Sequence, residues 1–562
     1  MEKKINISIV VFFLGLIFTN TAIFADSLGL DQHPGWSRTR ISLLLFGVLI
    51  ILCAVLYHLY MDKFHSIARK TKVIAESIPV QYLILPIVII VILIYVWFGS
   101  SGRWTIWKSN THYYDGLARS FLNANLYLPI EPDLKLLTLS NPYDPVARKG
   151  IEIPADVSLY KGKFYMYWGP VPALILTAIY FFFHMRLVVG DLFLTFAFIC
   201  GIFLVQIILL LTIWNLYFRN LPRWILYTSI YLIGLAGPLM LLRHNYESAM
   251  IYETSITGSQ FFFMGGLLAA LTAVIKPFIS SWRLATAGIL WALAIGSRQT
   301  SAAPIAFIIF ILTFWIFKTN TWSFKKATKL LLPLGLPLAF GFVCLGWYNW
   351  ARFGSLTETG YYYQLAGPNL REHYNKLFSL TYIFQNLYNY LFNPIDFTLK
   401  FPFVFMLKGS ETPIFFFYSL PDVYNAQPIA GLFYTFPFAI FAVVPFFLLD
   451  LRRKANINCD QMRLNLITIS LGGSALIAFG LLLMFFWSGM RYWGDALPSL
   501  MSLSVIGFWQ GYQSLSDYKS LITKLYAVFG ALLASASILI STLLAISTNS
   551  RLVNLLLRYF LP

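Results

Sequence analysis

Apolar runs of about 17 to 25 residues recur along the whole chain, each long enough for a helix to cross the hydrocarbon of a bilayer. Ile5 to Phe24, Ile41 to Tyr60, Gln81 to Phe98, Leu330 to Trp350 and Leu464 to Trp487 are examples. One water-soluble core cannot hide so many. Short alternating segments of the outer-membrane-barrel kind do not occur, so the fold class is all-α, a polytopic membrane protein. Hydrophobic residues at 58% of the 562 positions and charged ones at only 11% agree with this.

The formal charge of +18 sits in short basic clusters between apolar runs, where Lys and Arg orient helices; nucleic acid is not indicated. Lys63, Arg69, Lys70 and Lys72 form one cluster, Lys318, Lys325, Lys326 and Lys329 a second, and Arg452, Arg453, Lys454 and Arg463 a third. All three are expected in the cytoplasm. Cys53, Cys200 and Cys344 lie in apolar runs and Cys459 in a connector, which gives neither a disulfide framework nor a metal spacing. No phosphate-binding loop, dinucleotide fingerprint, GxSxG elbow or HExxH is present.

With MEKK and the first apolar run read as an uncleaved anchor, the stretch from Ser100 to Pro172 emerges on the external face. The same count places Arg352 to Ala430 and Ser488 to Asp495 on that face, so three polar segments are expected to converge. Trp282 to Phe317 carries Gly296-Ser297-Arg298 and Pro304 in its middle, which predicts a broken helix or re-entrant pair. That region leaves Arg219, Arg223, Lys276 and Arg283 outside, against the usual bias. In REHYNKLFSLTYIFQNLYNYLFNP, helical spacing joins His373, Leu377, Leu380, Phe384, Leu387 and Leu391 into one apolar face, as on a helix lying along a membrane surface or capping a cavity.

Candidate chemistry concentrates in the opening external stretch. His112, Asp115 and Arg119 are three and four residues apart, so one helical face carries all three, either as a site or as a solvated ion pair. Asp156, Lys161 and Lys163 precede Pro170 and Pro172, which fit the first turn of a span. Tyr160, Tyr165, Tyr167 and Trp168 read either as an interfacial belt or as stacking surfaces for a sugar. Arg298, deep in an apolar region, is costly unless paired or facing a cavity. Arg491 and Asp495 are four apart and either pair with each other or leave the guanidinium to bind phosphate. Glu358 reads as an exposed loop residue or an acceptor contact.

The ordered set LARSFLNANLYL, DVSLYKGKFYMYWGPVPALIL, GSRQTSAAPIAF, YNWARFGSLTETGYYYQLAG and RYWGDALPSL resembles the bacterial GT-C superfamily of membrane glycosyltransferases, the class of the protein mannosyltransferases and aminoarabinose transferases. The resemblance implies a GT-C-like helical bundle with a large first external catalytic loop, and with the count of spans the chain is expected to divide into membrane helices at 1–99, that external catalytic loop at 100–169, membrane helices at 170–350, a second external segment at 351–430 and further membrane helices at 431–562. It also implies a polyprenyl-phosphate-linked sugar donor, a glycan, lipid or protein acceptor, and inversion with an acidic base on the periplasmic face of a bacterial plasma membrane. The acidic pair of many relatives falls on Asn110-Thr111 here, so the base has to be argued locally.

Asp115 is the first choice for the base and Asp156 the second, with Asp144 a turn residue beside Pro145. Arg491, Arg298 and Lys163 are candidates for the leaving phosphate. His112, Arg119, Lys161, Tyr165, Glu358 and Asp495 complete the expected substrate-binding set. No residue cluster indicates a metal, and a divalent cation stays open as a cofactor. Two other readings compete: a transporter or flippase of a polar-headed lipid, and a glycan polymerase or ligase using a lipid-diphosphate donor. A transporter needs charges near the midplane, and apart from Arg298 and possible ones between Arg243 and Glu253 the charges avoid the spans.

Overall fold

The computed structural model describes residues 7–26, 28, 30, 36, 38–59, 80–242, 250–275, 279–319, 324–415, 419–452, 459–516 and 520–560. The initial MEKK, the basic cluster at Lys63 to Lys72, Arg243, Lys276, and Arg453 with Lys454 lie outside the described residues. Among the described residues, seven helices are long and apolar enough to cross a membrane, and five shorter apolar helices accompany them. Among the same residues, strands form three small sheets. The chain is an all-helical polytopic membrane protein, divided into two compact units, Met1–Trp107 with Asn549–Pro562, and Lys108–Thr548.

In the first unit, helices Ile7–Ile23 and Arg38–Leu59 pack together. Gly15 and Gly47 face each other where they cross, and a Cβ on Gly15 would stand 2.9 Å from the Gly47 carbonyl oxygen, so small residues let the backbones approach. Arg40 closes the end of the first helix, donating to the carbonyls of Ala22 at 3.1 Å and Ile23 at 2.9 Å. A cation at a helix C-terminus meets the orphan carbonyls and the negative pole of the dipole. Helix Val80–Gly99 and the amphipathic helix Ser550–Phe560 complete the unit.

The second unit contains the longest helices, among them Asp191–Ile213, Ile251–Ile275, Phe324–Phe353, Cys459–Leu483 and Ser520–Ser547. The expected break is present. Helix Ser281–Ser297 stops, Arg298 adopts extended backbone at φ −156°, and after the short turn Gln299–Ser301 the helix Ala302–Thr319 begins. The single helix expected over His373 to Leu391 is instead divided. Turns Tyr374–Lys376 and Leu380–Tyr382 precede a helix confined to Ile383–Leu391, because Ser379 is extended and its hydroxyl caps the amide of Thr381 at 3.2 Å. His373 and Leu377 therefore do not share a stripe with Phe384 and Leu391.

Candidate active site

Helix Tyr113–Leu122 lacks a side-chain cap from His112; Asp191, at the start of the next long helix, replaces it. The Asp191 carboxylate accepts from the amides of Tyr113 at 3.1 Å and Tyr114 at 3.2 Å. A buried carboxylate at a helix N-terminus satisfies two orphan donors and the dipole together. Asp115 and Arg119 pair at 2.8 Å across one turn. Asp115 also accepts from the Tyr180 hydroxyl and from the amide of Val189 at 3.0 Å, while Arg119 reaches the carbonyl of Leu187 at 3.0 Å. Burial works to raise the Asp115 pKa, but these hydrogen bonds outweigh it and hold the carboxyl below its ordinary range. Asp115 is a staple between this helix and residues 186–189.

Farther on, Ser158–Tyr160 and Lys163–Tyr165 form a hairpin whose turn residues Lys161 and Gly162 both have positive φ, 46° and 72°. A two-residue turn of this kind matches the twist of the strands it joins. The register ends at the pair Ser158 and Tyr165, and just before it Asp156 lines a cavity together with Tyr167. The lysines sit at the closed end, exposed, with Lys161 against the Tyr160 ring and Lys163 against Tyr127. Asp156 itself has φ 54°, a left-handed conformation in which aspartate is tolerated but uncommon and which tends to mark functional positions.

The three polar segments meet at this open end. Ser158 bridges Gln364 and donates its hydroxyl to the Gly360 carbonyl at 2.8 Å, which draws in the second segment. Asn425–Ala426 pairs with Trp487–Ser488, which brings the third. Between them lies a cavity of about 250 Å³ lined by Asp156, Tyr167, Gln364, Gln427, Arg491 and Tyr492, among others. Arg491 is buried, its guanidinium 4.0 Å from the centre of the Tyr252 ring, and its Nε has no hydrogen-bond partner. Among the described residues no carboxylate forms an ion pair with it. The Oε1 of buried Gln364 is likewise unpartnered. Burial raises the Asp156 pKa above the ordinary carboxylate value, and Arg491, Gln364 and Arg148 only partly oppose it.

A second cavity of about 440 Å³ adjoins the first across Tyr167, Tyr252, Tyr361, Phe485 and Tyr492. It is lined by Arg298, Gln299 and Asn375 on its polar side and by Leu377, Phe378 and Leu482 on its apolar side. Arg298 is held there by Asp495, its Nε 2.9 Å from both carboxylate oxygens. The pairing of Arg491 with Asp495 weighed from their spacing does not form. Met490–Asp495 is a 3-10 helix, not an α-helix, and in that geometry residues four apart no longer stack. Asp495 therefore turns to Arg298, and Arg491 is left to the smaller cavity.

Asp156, Arg298 and Arg491 thus line cavities, with Asp495 behind Arg298. Asp115, Arg119, Lys161, Lys163 and Tyr165 line neither, nor does His112. Tyr165 packs against Tyr127 and Phe353. Glu358 braces its own loop, accepting from the amide of Gly360 at 2.6 Å. Asp144 holds its turn by accepting from the amide of Val146 at 2.9 Å. Among the described residues no group of three or more His, Cys, Asp or Glu side chains comes together to hold a metal. Sequence reasoning misses Asp191, Tyr252, Gln364 and Gln427. An acid opening an apolar run signals only a helix start, a tyrosine in the first turn of an apolar helix, as Tyr252 is, reads as ordinary span flank, and glutamines in loops carry no periodic signal.

No family model and no curated protein matches the sequence. Among solved structures, the chain is similar to the oligosaccharyltransferase of Archaeoglobus fulgidus in its apo form, with 13% identity and a TM-score of 0.44. It is also similar to the oligosaccharyltransferase AglB from Archaeoglobus fulgidus in complex with an inhibitory peptide and a dolichol-phosphate, with 12% identity and a TM-score of 0.41. Each likeness covers 83% of this chain and 56% of the other.

Proposed function

We propose that the protein is a membrane glycosyltransferase of the GT-C kind, moving a sugar from a polyprenyl-phosphate carrier to a hydroxyl-bearing cell-envelope acceptor, a glycan, lipid or protein, on the outer face of a bacterial plasma membrane. The observation that carries this reading is the convergence of Asp156 and Arg491 on one tyrosine-walled cavity that adjoins a second, partly apolar one. The acceptor oxygen attacks the anomeric carbon while Asp156 takes the hydroxyl proton; the bond from that carbon to the phosphate oxygen breaks with inversion, and the phosphate leaves with the electron pair.

Each residue has a chemical reason for its part. A carboxylate raised by burial is a stronger base than an ordinary one. The buried Arg491 guanidinium, which forms no ion pair among the described residues although Asp156 and Glu253 act on it electrostatically, stabilises charge developing on the leaving phosphate. Arg298, oriented by Asp495, supplies a second cation, and Leu377, Phe378 and Leu482 offer an apolar course to the carrier lipid. Tyr167 stacked on Trp168 at 4.1 Å gives a platform for a sugar ring. Asp115, with its oxygens committed to Arg119, Tyr180 and Val189, is a structural residue in this scheme.

The test is transfer of labelled sugar from a polyprenyl-phosphate donor by protein in bilayer nanodiscs, coupled to mass spectrometry of envelope glycans from cells with and without the protein. Donor-dependent transfer and a glycan lost with the protein support the reading. Ion-coupled uptake in sealed vesicles without transfer overturns it in favour of a transporter, and activity only with a lipid-diphosphate donor favours a polymerase or ligase.

A further inference from the structure

Helix Ile383–Leu391 is inside out by the standards of a water-facing element. Gln385, Asn386 and Asn389, together with Asn393 just beyond it, are all at most 4% exposed. Their amides are committed inward: Asn386 donates to the carbonyls of Leu483 at 3.0 Å and Phe485 at 2.8 Å, and Asn393 to that of Ile429 at 2.8 Å. The opposite side carries Phe384 at 50% and Phe392 at 50% exposure. The adjoining hairpin of Ile395–Phe397 and Val404–Lys408 continues the surface, with Phe397 67% exposed and Leu399, at its tip, 100% exposed.

This surface does not stand alone. Strand Val404–Lys408 packs against helix Ser520–Ser547, a candidate span that itself exposes Leu525, Leu532 and Leu539. Phe392 packs against Phe433 with ring centres 5.2 Å apart, and Phe433 is also exposed. The apolar side of the helix and hairpin is therefore continuous with the side of a span that lipid must cover. Lys400, beside Leu399 in the hairpin turn, is exposed, and an ammonium on a long stem can reach headgroup phosphates from there, whereas Lys408 pairs with Glu411 at 2.7 Å.

We infer that residues 384–407 form a membrane-seated element, with Phe384, Phe392, Phe397, Leu399 and Phe403 lying in the lipid leaflet next to helix Ser520–Ser547. The partner is the bilayer surrounding the spans. Phe378, in the wall of the larger cavity and bridged to Phe485, lies shortly before helix Ile383–Leu391 in the chain. The inference rests on the membrane reading of the spans and not on the reaction proposed above.

The experiment uses the full chain in phosphatidylcholine–phosphatidylglycerol nanodiscs, in a background with its cysteines replaced by serine. Nitroxide is attached at Phe384→Cys, Phe397→Cys or Leu399→Cys, with Lys161→Cys as a water-exposed reference. The expected result is greater accessibility to dissolved oxygen than to a water-soluble nickel chelate at the three apolar positions, reversed at the reference. Nickel access at Leu399 equal to that at position 161 overturns the inference, since the tip then stands in water. Exclusion of both reagents also overturns it, since protein then covers the surface. Leu399 makes no packing contact that its replacement could disturb, so its result stands even where the phenylalanine variants fold poorly.

Discussion

Replacing Asp156 by Asn separates chemistry from architecture at the smallest structural cost. Asparagine is isosteric and, like aspartate, tolerates the left-handed backbone at φ 54°. Burial already disfavours the charged carboxyl in the folded state, raising its pKa, so a neutral amide leaves stability unchanged or improves it at neutral pH. A positioned general base contributes roughly 10²- to 10⁴-fold, which corresponds to about 3 to 5 kcal/mol of barrier. Turnover of labelled polyprenyl-phosphate sugar should fall by that factor while the unfolding midpoint in detergent holds. Asp115→Asn is the control with the opposite signature. The Asp115 pKa is depressed on folding, so its stabilisation is present above the unfolded value near ~3.9 and is lost as pH falls through the lower folded value. At neutral pH the substitution should cost on the order of 1 to 3 kcal/mol of stability, toward the lower end because Arg119 is 36% exposed. Turnover per folded molecule should change little. Asp156→Asn retaining turnover within tenfold of the parent, or Asp115→Asn losing it at an unchanged midpoint, refutes the assignment of the base.

Three further outcomes are expected. Because the Asp156 pKa is raised, the acid limb of kcat/KM should lie above the ordinary carboxylate range near ~4, and Arg491→Gln should move it higher still by removing a charge that opposes the shift; a limb unmoved in that variant speaks against their proximity. Arg298→Leu should be poorly folded, since it strands buried Asp495 at a cost of about 3 to 5 kcal/mol, whereas the double variant with Asp495→Leu should recover its unfolding midpoint but not its activity. Asn386→Ala removes the donor shared by the carbonyls closing helix Cys459–Leu483 and should lower the unfolding free energy by about 1 to 3 kcal/mol, read from denaturation in detergent.

Local signals decided a large share of the architecture. Runs such as Gln81 to Phe98 and Leu330 to Trp350 reappear as helices Val80–Gly99 and Phe324–Phe353, because helical hydrogen bonds are satisfied within a segment and need no partner to be specified. The break at Arg298 is legible for the same reason, since a charge and a Gly-Ser step interrupt an apolar pattern locally. The helix expected from His373 to Leu391 shows the limit. Its periodicity is real, but Ser379 offers a competing cap that splits it, and the buried side proves to be the amide-rich one, because helix-end carbonyls elsewhere in the chain require donors.

The sequence by itself determined that this is an all-helical membrane protein, where its polar segments fall, and that Asp156, Arg298 and Arg491 belong among the residues worth weighing. Only the tertiary structure distinguishes the surroundings of Asp115 from those of Asp156. Both are aspartates of the opening polar stretch with basic residues nearby in sequence, but one is consumed by Arg119, Tyr180 and Val189 while the other, just before the hairpin, lines a cavity together with Tyr167. The partner of Asp495 was decided the same way. Spacing offered Arg491, and the 3-10 geometry of Met490–Asp495 delivered Arg298, because which side chains meet depends on helix pitch and on segments far apart in the chain, neither of which a spacing of four residues encodes.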